Sequence, residues 1–128
     1  MKPAKLAHFL QPTLRDAGFT LDQIDDQATY GDRPGWAIYY LGADCKLQVC
    51  WSARDGGIDF LLAPLDAPYE FGLLNCSKKW QFMLILSAAD DELPTPGLGA
   101  DDDTIMAWLK ALFEIHFGPA HAALISET

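Results

Sequence analysis

Cys76, in the run Asn75-Cys76-Ser77-Lys78-Lys79, is the sharpest nucleophile in the sequence, because nearby ammonium groups can draw a thiol toward its reactive thiolate form. A thiol nucleophile also needs a base and an oxyanion site. The sequence identifies neither, so a loop or small buried cysteine is the plainer reading. Three histidines come next: His8 beside the apolar stripe of the first helix, and His116 and His121 on either side of Gly118-Pro119. A metal site would want two of them with a carboxylate or thiolate. Neither HExxH nor CxxC occurs, and five residues across a helix break is not a ligand spacing, so no metal and no other cofactor is expected. His116 reads as a dipole partner at a helix end or a partly buried aromatic. No GxSxG, phosphate-binding glycine loop or dinucleotide fingerprint is present.

Carboxylates cluster more than any other chemical group. Asp90, Asp91 and Glu92 are followed by Asp101, Asp102 and Asp103, without the alternating oxygen ligands and central glycine of a calcium loop. The second trio suits the start of a helix, where its charge complements the positive end. The remaining reading is an acidic docking surface, Asp90, Asp91, Glu92, Asp101 and Asp102, for a basic protein partner. Eighteen acidic against nine basic residues give a net charge of −9, which repels nucleic acid and acidic membranes. The longest apolar run, Phe82 to Leu86, is far shorter than the roughly 20 residues a bilayer requires. The N-terminus has charges through its middle and no small-residue cleavage site, so no signal peptide is read. A cytoplasmic protein with three reduced cysteines is expected.

These groups must be placed by a chain of 128 residues, the size of one domain, with half its residues hydrophobic. Leu6, Phe9, Leu10, Leu14 and Ala17 fall at helical spacing before Gly18, with Pro12 predicting a kink or two shorter pieces. A strand fragment follows around Phe19 to Ile24. From Trp36 the period becomes two, predicting strands in "WAIYYL", "CKLQVCWSA" and "IDFLLA". A turn at Ala43-Asp44 pairs Tyr40 with Leu47, Ile38 with Val49 and Trp36 with Trp51. In "WSARDGGIDF" an Asp55-Gly56 turn pairs Trp51 with Phe60 and Val49 with Leu62, and a Gly56-Gly57 turn shifts the pairing by two with the same faces; either makes the conspicuous glycines turn residues and sets Arg54 near Asp59 as an exposed ion pair. Trp80 to Leu86 reads as a strand buried on both sides, or a buried helix. Ile105, Trp108, Leu109, Leu112, Phe113 and His116 line a last helix, capped by Asp102 or Asp103 and stopped at Gly118-Pro119.

Strands in sequence order with a helix before and after predict one α+β domain over residues 1–128: an antiparallel meander of four or five strands, with the terminal helices packed on one face. The opposite face carries Tyr39, Leu41, Cys50 and Leu61, too apolar for a wet surface. Either another segment covers it or it is a partner or homodimer interface. On size and charge alone the profile matches a non-catalytic protein-binding module, comparable to immunity proteins or secretion chaperones. The alternative is a small-molecule-binding domain or small enzyme with a pocket between sheet and helices, lined by Trp36, Trp51, Trp80 and Trp108.

Overall fold

Alternating apolar residues build the sheet, and their side chains divide it into two cores. The computed structural model describes residues 1–72 and 74–127. Its elements are α1 (Pro3–Asp16), β1 (Thr20–Asp25), β2 (Thr29–Tyr30), β3 (Arg33–Leu41), β4 (Lys46–Ser52), β5 (Ile58–Ala63), β6 (Gln81–Phe82), α2 (Met83–Ser87) and α3 (Asp102–Ser126). The sheet is antiparallel in the order β1-β3-β4-β5-β6, with β2 paired to the start of β3. This is the expected α+β meander with helices at both ends. No helix among the described residues is long and apolar enough to cross a membrane.

The β3–β4 hairpin has the expected register: Trp36 opposite Trp51, Ile38 opposite Val49 and Tyr40 opposite Leu47. The β4–β5 hairpin keeps the expected faces but not the expected partners. Trp51 pairs with Ile58, Val49 with Phe60 and Leu47 with Leu62, a shift of two residues. Ser52 causes the difference. Its hydroxyl accepts from the Asp55 amide at 3.2 Å and its carbonyl from the Gly56 amide at 2.8 Å, so the chain wraps one helical turn before Gly56 reverses it at φ 75°. Only Gly56 of the two turn glycines needs a positive φ.

Both helices run through their prolines. In α1, Leu6, Ala7, Leu10 and Leu14 are buried, whereas Phe9 stays partly exposed at the edge of the stripe. Pro12 does not split the helix, because the carbonyl it deprives of a partner belongs to exposed His8 and faces water. The same holds for Pro119 and exposed Ile115 in α3. That helix does not stop at Gly118-Pro119: buried Ala120 and Leu124 hold its second half on the core. Phe113, stacked on Phe117 at 4.8 Å, meets Phe60 of β5 and Phe19, and joins the α3 and sheet sides of the core. Residues 80–86 are neither one strand nor one helix. They form β6 and then α2, whose Leu84 and Ile85 are exposed.

The other sheet face is covered by the chain itself. Residues 64–72 and 74–80 cross it and make a second core of Tyr39, Cys50, Leu61, Ala67 and Trp80, with Tyr69 stacked on Tyr39 at 4.3 Å. The Lys46 ammonium reaches the Ala67 carbonyl at 2.6 Å. Tyr39, Cys50 and Leu61 are therefore interior residues of this chain, and only Leu41 of that expected interface is exposed. Gly35 is where the cover approaches the sheet most closely: a Cβ there would lie 2.6 Å from both Phe71 Cζ and the Trp51 carbonyl oxygen. Gly35→Ala is expected to destabilise the protein by about 2–3 kcal/mol in urea unfolding, since backbone cannot yield as a side-chain tip can. Gly57→Ala, with open space around its Cβ position, is the near-neutral control.

Candidate functional site

Three of the four tryptophans meet at one end of the sheet. Trp36 and Trp51, cross-strand partners with rings 6.4 Å apart and 26° from parallel, share with Ile105 and Trp108 of α3 a groove of about 430 Å³. Trp80 is elsewhere, under the second core, donating its indole N–H to the Pro68 carbonyl at 2.8 Å. Residues Thr95–Ala100 form a third wall, and Leu98 on it is fully exposed. A neighbouring groove of about 250 Å³ shares Ile58 and Trp108 and adds Phe60, Leu84 and Ile85. It exists because β6 reaches only Leu61 and Leu62, leaving the first half of β5 with no strand beyond it.

Asp59 borders both grooves along the open edge of β5, but its side chain, opposite Cys50 in the register, turns to the other face of the sheet, beside Cys50, Asp55, Phe71 and Phe82. Burial pushes its carboxyl above the usual range, and the charge of Asp55 adds to the effect. Among the described residues no hydrogen bond or ion pair offsets that cost. The expected Arg54–Asp59 pair does not form; the longer turn carries Arg54 away, and its guanidinium lies 4.5 Å from the centre of the Tyr30 ring.

The acidic stretch divides by role. Asp101 caps α3 by accepting from the Thr104 amide at 2.8 Å, one residue earlier than expected, and this contact holds its carboxyl below the usual range. Asp102 pairs with Lys5 at 3.1 Å, tying α3 to α1. Asp91 accepts from the Leu93 amide at 3.0 Å and contacts His116 Nε2 at 2.6 Å, and the His116 contact is the main reason its carboxyl sits low. Asp90 and Glu92 are exposed and make no hydrogen bond or ion pair among the described residues.

His116 is almost wholly buried, and its other nitrogen, Nδ1, lies 2.8 Å from Ser87 Oγ. Serine, histidine and aspartate thus form a chain that was not legible in sequence, since Ser87 and Asp91 fall in segments read for other reasons. Its geometry fits a clamp better than a catalyst. The serine is buried, and neither Ser87 nor His116 lines the grooves described above. With Nε2–H donating to Asp91, Nδ1 accepts from the serine hydroxyl. Cys76 is exposed, and the Lys79 ammonium near it in sequence pairs with Asp66 at 2.7 Å. Cys45 and Cys50 face opposite sides of the sheet. A further groove of about 480 Å³ lies between α1 and β1, with Tyr40 among its lining. The Tyr40 hydroxyl is buried without a partner among the described residues, and burial pushes it above its ordinary value.

The chain matches no protein-family model, and no curated protein or solved structure is significantly similar to it.

Proposed function

We propose that the protein is a non-catalytic protein-binding module whose partner lays a basic segment along the open edge of β5, with apolar anchors in the tryptophan groove on one face and cationic side chains toward Asp59 on the other. The observation that carries this reading is the open first half of β5, which offers Ile58 and the tryptophans on one face and, on the other, the partly buried carboxylate of Asp59 with no counter-ion among the described residues. Such an arrangement costs stability in the isolated protein, and an arriving lysine or arginine removes the cost. On the tryptophan face the indoles and exposed Leu84, Ile85 and Leu98 offer apolar contact. Asp90 and Glu92, with the net charge of −9, favour fast, salt-sensitive encounter with a basic partner.

The test is titration of a short synthetic peptide alternating arginine with leucine, followed by tryptophan fluorescence. Trp108→Ala is expected to weaken binding about tenfold or more. Asp59→Asn is expected to weaken it while raising stability by about 0.5–1 kcal/mol, modest because the carboxylate still reaches solvent. The two effects of Asp59→Asn have opposite signs, which a packing residue would not give. Raised in the fold, the Asp59 carboxyl favours folding at acid pH and loses that contribution as pH climbs through its folded value; peptide affinity climbs over the same interval. Equal peptide affinity in wild type and both variants would remove the proposal. Neutralising Asp90 and Glu92 should reduce the salt dependence, whereas Asp91 and Asp101 are left intact because they hold the segment.

A second reading, a small-molecule site, is favoured by the groove's volume of about 430 Å³, within the range such pockets occupy. Native mass spectrometry of freshly purified protein separates the two, since a bound small molecule would appear as a discrete mass increment.

A further inference from the structure

We propose that Asp44, Cys45 and His121 form a binding site for a divalent transition metal, with zinc the ion its ligands suit best. One ligand atom from each of these residues lies within 4.8 Å of the others. A tetrahedral zinc with one sulfur, one nitrogen and one oxygen ligand needs those atoms roughly 3.2–3.6 Å apart. The required contraction is on the order of 1 Å, and the exposed Asp44 and partly exposed His121 are free to supply it. His121 Nε2 already meets Asp44 Oδ1 at 2.9 Å, and the Cys45 sulfur lies within 4.8 Å of both.

The fold holds this group from two sides. The Gly42 amide donates to the Cys45 carbonyl at 2.9 Å and closes the β3–β4 turn. Phe19 lies so near Gly42 that a Cβ there would come within 2.8 Å of its ring, which limits the turn's movement. On the other side α3 continues past Pro119, and this carries His121 to the turn with the Phe117 ring 5.3 Å away. No spacing rule could find the set, because the turn ligands and the histidine are 77 residues apart.

Thiolate and imidazole select zinc over magnesium or calcium, which prefer oxygen. Without a cation, burial and the neighbouring Asp44 charge push the Cys45 thiol up to about 12, so it keeps its proton. A divalent ion reverses that balance. On binding, the thiol proton leaves to solvent, a metal–sulfur bond replaces it, and His121 ligates through Nε2 with its own proton on Nδ1. Three protein ligands leave a fourth position for water.

The test uses the full chain in a Cys76→Ser background, which removes the exposed thiol, with cobalt(II) as probe. The expected result is a thiolate-to-cobalt charge-transfer band that saturates at one equivalent, is displaced by zinc, and is lost in Cys45→Ala. His121→Ala changes a partly exposed residue, keeps the fold intact, and is expected to weaken cobalt binding at least about tenfold. Zinc should raise the unfolding midpoint of the Cys76→Ser protein by several degrees and leave that of His121→Ala unchanged. No charge-transfer band, a band that persists in Cys45→Ala, or equal zinc shifts with and without His121 would each overturn the assignment.

Discussion

Replacing Gln48 by alanine is expected to lower the unfolding free energy by about 3 kcal/mol and to strip hydrogen-exchange protection from residues 64–80 ahead of the rest of the chain. Gln48 sits in the middle of β4 with no exposed surface. Its amide donates to the Glu70 carbonyl at 2.8 Å, and its carbonyl accepts from the Gly72 amide at 2.8 Å. A single side chain thus satisfies a donor and an acceptor of an irregular segment that has no ladder of its own. Each bond left open in the interior costs about 1–3 kcal/mol, more than the bond contributes when formed, so the two together exceed the packing loss. Gln48→Leu separates the causes. It restores the volume but neither hydrogen bond, and its urea midpoint should fall nearly as far as that of the alanine variant. A leucine variant as stable as wild type would show that filling the space, and not the amide, holds the cover in place.

This contact also explains why the outer sheet face was hard to read from sequence. Lys46 and Gln48 alternate with Leu47 and Val49 as a wet face alternates with a dry one, yet both polar side chains are fasteners for residues 64–80. That segment, with Pro64, Pro68 and Gly72, has neither helical nor strand period, so nothing in its pattern shows that Ala67, Tyr69 and Trp80 are core residues. The inner face was legible because period two speaks for itself: the β3–β4 register follows directly from matching Trp36, Ile38 and Tyr40 against their partners. The β4–β5 register was legible only to within two residues. A Ser52 cap and an Asp-Gly turn conserve the same faces, and local pattern does not choose between them.

The candidate site divides the same way. Trp36, Trp51 and Trp108 could be assigned to the core side of their elements from spacing alone, and the structure brings them together at one groove. Asp59 keeps the outer-face position its alternation predicts, but its burial and its lack of an ion pair depend on the turn after Ser52 and on where β6 ends, which are tertiary facts. The acidic stretch was visible as charge, but its division into anchors and exposed groups follows from contacts with Lys5, Thr104 and His116. Sequence distance hides such contacts.

The last of these contacts connects stability to the proposed binding site. His116→Ala is expected to cost about 2–4 kcal/mol, from the cavity left by a buried imidazole and from a Ser87 hydroxyl that keeps the Ala89 amide as donor but loses the acceptor for its own proton. It should also weaken peptide binding, although His116 does not line the tryptophan groove. The groove's third wall, Thr95–Ala100, is held at one end by the Asp101 cap and at the other by Asp91 on His116. Loss of the histidine frees that second end, so ordering the wall becomes part of the work of binding. The pH dependence has a definite sign. His116 holds the Asp91 carboxyl below its unfolded value of about 3.9, so the stability this contact adds is present above that pH and disappears as pH falls through the lower folded value. Wild type should therefore lose more stability than His116→Ala over that acid interval, read from urea midpoints at successive pH values. Parallel acid profiles would show that the clamp contributes nothing through Asp91, and an unchanged peptide affinity in His116→Ala would show that the third wall holds its shape without it.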